Sequence, residues 1–202
     1  MKIKVCGITV PEDAVLAVKL GATHIGCVLV EDSPRRVQPE QAREIFRATP
    51  RIAHVAVFHS VPAEAVIAAA RIAGTRQVQL HAYDELEARK CEEAGLKVCR
   101  VFDVPSGSNM LPHMMPAPSR QQPAMLDLAG GASGLTFPWE ILGSEAPPYT
   151  FISGGVRPEN VCALLTHNPY GIDISEGLEL TPGRKDPDRL SLFFDTLERG
   201  LA

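Results

Sequence analysis

Two side chains in this sequence could exchange protons with a bound substrate: the thiol of Cys6 and the carboxyl of Asp127. A thiolate can remove a proton, and a carboxylic acid held neutral by its surroundings can donate one. Asp127 stands among Met125, Leu126 and Leu128, where an unpaired carboxylate is costly unless it has a function. The two residues could therefore form an acid–base pair, with Cys6 as the base and Asp127 as the acid.

Structural roles for the same kinds of residue stay open at this point. Most free cysteines are small buried core residues, and a free thiol titrates near ~8.5, so nearby positive charge would have to lower the pKa of Cys6. Asp127 could cap a loop at the end of its strand. His81 is of a type more often held in structural hydrogen bonds than used in catalysis, and Arg35 could be solvated beside Arg36.

Short apolar runs rich in β-branched residues could carry these side chains as strands. The predicted strands are 3–8, 24–30, 53–58, 77–81, 97–102, 124–129, 150–155 and 171–175. Helical patterns fill most of the gaps, and prolines or a capping aspartate mark where they begin. These starts are Pro11, Pro39, Pro62, Asp84 and Pro158, and a last helix carries an apolar stripe from Leu190 to Leu201.

Several of these strands are continuous apolar runs, which is typical of parallel strands covered by helices. Eight such units predict an α/β fold, a closed (β/α)8 TIM barrel that forms a single compact domain over residues 1–202 with short loops. A doubly wound open sheet is the alternative. Two connections differ from the pattern: prolines predict an irregular fifth connection at 105–123, and 137–144 offers only one or two turns for the sixth.

Composition excludes several classes of protein. The chain has 202 residues, of which 45% are hydrophobic and 22% charged, with a net charge of −4, which excludes a disordered chain and a nucleic-acid binder. The five cysteines are an odd number without CxxC spacing, which favours a reducing compartment. No signal peptide or membrane-spanning run is visible. We therefore expect a cytoplasmic protein with no nucleic-acid or membrane partner.

In a barrel of this kind the active site lies at the carboxyl ends of the strands. Arg35 follows the second predicted strand, His81 ends the fourth, and Asp173 lies in the eighth. Glycine-bearing segments, 153–155 and 175–177, end the seventh and eighth strands, where such barrels bind phosphate through backbone N–H groups. A tight strand-to-helix turn also needs glycine, but two such segments at both expected positions favour a phosphate site.

Longer motifs make the chain similar to a known family. They are KVCGIT (4–9), DSPRRV (32–37), VQLH (78–81), LD (126–127) followed by GG (130–131), SG (133–134) and F-x-W (137–139), FISGGVRPENV (151–161), GIDISEGLE (171–179) and PGRKD (182–186). Over nearly its whole length the sequence resembles the phosphoribosylanthranilate isomerases, phosphate-binding TIM barrels of tryptophan biosynthesis. The resemblance implies an Amadori rearrangement of N-(5′-phosphoribosyl)anthranilate, without a metal or organic cofactor.

The resemblance also implies roles for individual residues. Cys6 falls on the general base of the family and Asp127 on the general acid, while Arg35 falls on the arginine that holds the anthranilate carboxylate. His81 and Asp173 are expected to contact the substrate. The phosphate is expected at the amides near Gly154, Gly155, Ser175 and Gly177. The expected partner is this small-molecule substrate, and the expected oligomeric state is a monomer.

Some positions depart from the family pattern, and they keep other functions open. These positions are Ala82, Leu128, Leu135, Pro138 and Glu176. The carboxylate of Glu176 would repel a phosphate unless it points outward or pairs with Arg184 or Lys185. One alternative is an isomerase or epimerase for another sugar phosphate, which would have no use for Arg35 if its substrate lacks a carboxylate. The other alternative is a non-catalytic barrel that binds a phosphorylated ligand or a protein partner.

Overall fold

Eight parallel strands form a closed barrel in which each strand pairs with the next and the eighth returns to the first. The computed structural model describes residues 1–129 and 134–201. The barrel strands are β1 (Lys2–Val5), β2 (His24–Val28), β3 (Ala53–His59), β4 (Gln77–His81), β5 (Lys97–Val104), β6 (Ala124–Leu128), β7 (Thr150–Ile152) and β8 (Gly171–Ile174). The predicted TIM barrel is confirmed, and the open sheet is excluded because β1 pairs with β8 over four residues.

Helices cover the outside of the barrel between most of the strands. They are α1 (Pro11–Leu20), α2 (Pro39–Arg47), α3 (Ala63–Ala73), α4 (Glu85–Glu93), α5 (Val161–Leu165) and α6 (Pro187–Leu201). Asp84 caps α4 as expected, because its Oδ1 accepts a hydrogen bond from the N–H of Leu86 at 2.7 Å. A short antiparallel hairpin, β9 (Glu179–Thr181) and β10 (Arg184–Lys185), lies between β8 and α6.

The expected helix start at Pro158 is wrong, because α5 begins only at Val161. The side chain of Asn160 holds the preceding residues in a turn. Its Oδ1 accepts from the N–H of Arg157 at 2.8 Å, and its Nδ2 donates to the carbonyl of Gly155 at 2.9 Å. These bonds satisfy the backbone without a helix and fix the segment that follows β7.

β2 ends at Val28 rather than at residue 30, and two other strands end three residues earlier than the apolar runs predict. β1 ends at Val5 rather than at residue 8, and β7 ends at Ile152 rather than at residue 155. Glycines with positive φ cause both ends: Gly7 has φ +70°, and Gly154 has φ +89°. As a result, the residues just before these glycines lie at the carboxyl-terminal rim of the barrel rather than inside a strand.

The fifth and sixth connections differ from the others, as the sequence predicts. The 105–123 segment contains no helix and packs against the core through Leu111 and Met114. The sixth connection includes a single 3₁₀ turn, Trp139–Leu142. Among the residues that the structure describes, no helix is both long enough and apolar enough to span a bilayer.

Candidate active site

A cleft of about 110 Å³ opens at the carboxyl-terminal rim of the barrel, where the strand ends bring distant parts of the chain together. Its floor and walls come from the loop after β2 and from the ends of β6, β7 and β8. The lining residues are Arg35, Asp127, Ser153, Gly154, Gly155, Val156, Asp173, Ile174, Ser175 and Glu176. Six of the predicted site residues are therefore brought to one cleft.

Asp127 projects from β6 into this cleft with a carboxyl group that can be neutral near physiological pH. Burial raises the pKa of Asp127 to about 6, and the charge of Asp173 adds to this effect. The N–H of Leu128 donates to its Oδ1 at 2.9 Å. A side chain on Gly154 would lie 2.7 Å from Leu128 and 3.0 Å from the Asp127 carboxylate. Glycine at that position lets the end of β7 close on the acid.

Cys6 lies directly after β1, buried against Val55 and Val57 inside the barrel, and it does not line the cleft, so its contact with a substrate stays a prediction. Burial raises the pKa of the Cys6 thiol, and the positive charges of Lys4 and Lys185 only partly oppose this effect. The positive charge that the sequence argument requires is present, but burial outweighs it. The nearby positive charge therefore does not bring the thiol pKa below its ordinary value, and the thiol is the major form of Cys6 at neutral pH.

A buried ion pair that the sequence analysis missed lies beside Cys6. Nζ of Lys4 donates to Oδ1 of Asp173 at 2.9 Å, and the two side chains are only 2% and 6% exposed. Burial alone would lower the pKa of Lys4, but the charges of Asp173 and Cys6 outweigh burial and raise it. One signal in the sequence was a lysine two residues before Cys6 in the otherwise apolar run 3–8.

The sequence left open that Arg35 is solvated beside Arg36, but in the structure the Arg35 side chain is mostly buried. Its side chain is 15% exposed and forms a two-pronged ion pair with Glu179, with Nε–Oε1 at 2.8 Å and Nη2–Oε2 at 2.7 Å. The hydrogen bond from Arg35 lowers the pKa of Glu179 even though burial opposes the change. Lys185 also donates to Glu179 at 2.9 Å. A side chain on Gly7 would lie 2.7 Å from Cδ of Arg35, so this glycine admits the arginine.

The glycine segments after β7 and β8 divide into two roles. Gly154, Gly155 and Ser175 line the cleft, as a phosphate site requires. Gly177 does not line it, and a side chain there would lie 2.1 Å from the carbonyl oxygen of Val156. Gly177 therefore permits the two strand ends to pack together behind the cleft, and its direct contact with phosphate stays a prediction.

Glu176 lines the cleft, and neither Arg184 nor Lys185 is its partner among the described residues. Its Oε1 instead accepts a hydrogen bond from the N–H of Gly134 at 3.0 Å. Pairing with Arg184 or Lys185, one of the two arrangements that would spare the phosphate from repulsion, is therefore not formed among the described residues. The motif residues 130–133 lie outside the described residues.

His81 ends β4 and does not line the cleft. Its Nε2 lies 2.8 Å from Nε2 of Gln79, and its ring stacks on His59 with the centroids 6.5 Å apart. Burial lowers the pKa of His81 to about 4, and the charge of Lys4 contributes to this shift. His81 is therefore neutral at physiological pH, and its contact with a substrate stays a prediction.

Comparisons with known proteins agree with this architecture over the whole chain. The family model described as N-(5'phosphoribosyl)anthranilate (PRA) isomerase matches residues 3–196. A protein named N-(5'-phosphoribosyl)anthranilate isomerase from Rubrobacter xylanophilus is 37% identical over 199 residues, which cover 95% of this chain and 96% of the relative.

Solved structures show the same similarity in three dimensions. The crystal structure of phosphoribosyl anthranilate isomerase from Thermus thermophilus has a TM-score of 0.85 and 31% identity, covering 98% of this chain and 99% of that one. A phosphoribosyl anthranilate isomerase in complex with reduced 1-(o-carboxyphenylamino)-1-deoxyribulose 5-phosphate has a TM-score of 0.80 and 28% identity, with the same coverage.

Proposed function

The chain belongs to the N-(5'-phosphoribosyl)anthranilate isomerase family, and from that premise we propose how its residues carry out the reaction. The substrate is N-(5′-phosphoribosyl)anthranilate, and the product is 1-(2-carboxyphenylamino)-1-deoxyribulose 5-phosphate of tryptophan biosynthesis. The observation that carries the assignment of roles is a buried carboxyl of raised pKa, Asp127, in one cleft with a fixed arginine and two glycine-bearing strand ends.

The first step opens the ribose ring. Asp127 gives its proton to the ring oxygen while the bond from that oxygen to C1 breaks, and the electron pair on the anthranilate nitrogen forms a protonated Schiff base with C1. A carboxylic acid suits this step because its pKa of about 6 lets it hold the proton and also release it near neutral pH.

The second step removes the proton from C2. The thiolate of Cys6 takes this proton, and the electrons of the C2–H bond form the enolamine, which tautomerises to the ketone. At the end of the cycle Asp127 is ionised and Cys6 is protonated. Because this is also the major ionisation state of the free site, one proton must pass from Cys6 to Asp127 through solvent before the next turnover.

Arg35 holds the anthranilate carboxylate in this proposal. Glu179 engages Nε and Nη2 of the guanidinium, and Nη1 donates to none of the residues that the structure describes. The free edge can therefore present two parallel N–H bonds to a carboxylate, a geometry that lysine cannot supply. A sugar phosphate without a carboxylate would have no use for this arrangement.

The phosphate of the substrate is assigned to the backbone N–H groups near Gly154, Gly155 and Ser175. Positive φ angles at the two glycines, +89° and +63°, turn the backbone at the end of β7 in a way that other residues rarely adopt. Glu176 lies on the same wall and opposes an incoming dianion electrostatically.

Turnover measurements on variants test these assignments. The native protein should consume the fluorescent anthranilate substrate, and Cys6→Ser should lower kcat by more than about 100-fold with the fold intact, because the hydroxyl is a far weaker base. Arg35→Met should raise KM, while Arg36→Met, which changes an exposed neighbour, should leave KM unchanged. Equal KM values in the two arginine variants would contradict the carboxylate assignment.

We further propose that the whole chain folds as one unit and acts as a cytoplasmic monomer. Large exposed apolar side chains are spread over separate elements, including Val15 on α1, Ile72 on α3 and Leu192 on α6. The five free cysteines fit a reducing compartment. A single unfolding transition, a solution mass of one chain and recovery in the cytoplasmic fraction are the expected results.

A further inference from the structure

We propose that Lys4 is a positioning residue for the reaction, because its buried ammonium group stabilises the thiolate of Cys6, the minor form that removes the C2 proton. The inference rests on the proposed function and deepens it. Like Cys6, Lys4 does not line the cleft, and we assign it an action through the neighbouring sulfur rather than a contact with the substrate.

The strand places the two groups on the same side. Lys4 lies on β1 and Cys6 directly after it, two residues further along the chain, and both side chains face the barrel interior. Lys4 is 2% exposed, so its charge is shielded from water and acts at close range on whatever lies beside it. A lysine is rarely buried in this way without a partner or a function.

Gly26 on β2 shows how close the two groups are. A side chain built at Gly26 would lie 2.7 Å from Sγ of Cys6 and 3.1 Å from Nζ of Lys4. The sulfur and the ammonium therefore share the space that any larger residue at this position would fill. Glycine on the neighbouring strand is what allows them to meet.

The ammonium group of Lys4 has enough N–H donors to face the sulfur of Cys6 as well as Asp173. It carries three N–H donors, and one of them binds Oδ1 of Asp173 at 2.9 Å. The charge of Asp173 and the charge that Cys6 carries when it is ionised raise the pKa of Lys4 and outweigh the opposing effect of burial. The ion pair with Asp173 thus keeps Lys4 charged and holds it beside the sulfur.

Other charged groups around Cys6 cannot replace Lys4. Burial has the largest influence on the pKa of Cys6 and raises that pKa. Lys4 has the next largest influence and lowers the pKa. Asp173 raises the pKa, and Lys185 lowers it by less than Lys4 does. Arg35 and Lys185 are both committed to Glu179. The remaining titratable neighbour is the thiol of Cys27 on β2, and burial keeps that thiol protonated.

A direct titration of the thiol tests the proposal without any substrate. The ultraviolet absorbance of the thiolate is followed against pH, and the Cys6→Ser protein is subtracted to isolate Cys6. In Lys4→Met the midpoint should rise by at least about one pH unit, which is tenfold less thiolate at a given pH. The kcat should fall by about the same factor, and KM should change by less than about twofold. An unchanged midpoint would overturn the proposal.

A second variant covers the possibility that Lys4→Met does not fold, since it leaves Asp173 buried and unpaired. Lys4→Met combined with Asp173→Asn removes both charges together, which cores tolerate better than one unpaired charge. Because Lys4 outweighs Asp173 at the sulfur, the midpoint in this double variant should still lie above that of the native protein. A midpoint at or below the native value would count against the proposal.

Combination with Cys6→Ser separates this role from a structural one. If Lys4 acts through the sulfur, Cys6→Ser and the Cys6→Ser, Lys4→Met double variant should have equal residual kcat values. A further loss of about tenfold in the double variant would show that Lys4 acts elsewhere. If the native protein did not turn over, the proposed function would fail, while the thiol titration would still report on Lys4.

Discussion

The pH dependence of kcat/KM follows from the ionisations of Asp127 and Cys6. The value of kcat/KM should fall below pH 6, although Asp127 acts as an acid. Burial raises the pKa of Asp127 to about 6 and raises the pKa of Cys6 above its ordinary value. The reacting form needs Asp127 protonated and Cys6 ionised, which is the reverse of the major form at neutral pH. Because the pKa of Asp127 is about 6 and burial raises the pKa of Cys6, only a small minority of molecules is in that form.

The reacting form and the major neutral form carry the same number of protons, so their ratio does not change between the two pKa values. Below pH 6 Asp127 of the major form takes up a proton, and the fraction of molecules in the reacting form falls tenfold for each pH unit. The kcat/KM at pH 5 should therefore be about one tenth of its value at pH 7, although Asp127 acts as an acid. From pH 7 upward the value should be constant until Cys6 ionises in the major form, and it should fall beyond that point.

Initial rates of fluorescence loss at low substrate concentration give kcat/KM directly, after subtraction of the spontaneous loss without protein. The phosphate of the substrate also titrates near ~6, so the kcat profile at saturation serves as a control that the free substrate does not affect. A tenfold decline of kcat/KM from pH 7 to pH 8 would refute the reasoning, because it would mean that Cys6 is already ionised and that loss of the Asp127 proton alone limits the rate.

Three further substitutions test separate parts of the account. Glu179→Gln should loosen Arg35 and raise KM on the order of tenfold with less change in kcat, as steady-state kinetics would show. Glu176→Gln keeps the acceptor for the loop after β6 but removes the charge, so KM should fall about two- to threefold and inorganic phosphate should inhibit more strongly. Arg100→Met should cost about 1–3 kcal/mol in urea unfolding, because Arg100 is buried and bound to two partly exposed carboxylates of α4, with turnover at 25 °C unchanged. Arg89→Met, at an exposed pair on the same helix, should cost less than about 0.5 kcal/mol.

Much of the fold could be predicted from the sequence because the strands are short apolar runs separated by glycines, prolines and helix-capping residues. The same local pattern could not locate strand ends set by backbone conformation, as at Gly7 and Gly154, where a positive φ ends the strand within an apolar run. The start of α5 was also missed, because the side chain of Asn160 replaces the expected first turn.

Residues that carry a charge or a reactive group could be selected from the sequence, but their partners could not. Lys4 and Asp173 are 169 positions apart, and Arg35 and Glu179 are 144 apart, so only closure of the barrel brings them together. The pKa of Cys6 depended on the balance between burial and the charge of Lys4, which residue types alone do not determine.

Turnover by Asp127→Asn tests the central claim most directly. The amide keeps the size of the side chain but cannot donate a proton to the ring oxygen, so the fluorescence of N-(5′-phosphoribosyl)anthranilate should decay at the rate seen without protein. The native protein should consume it, and both proteins should unfold at similar urea concentrations. Turnover by Asp127→Asn within about tenfold of the native rate would contradict the account, because general acid catalysis contributes more than that.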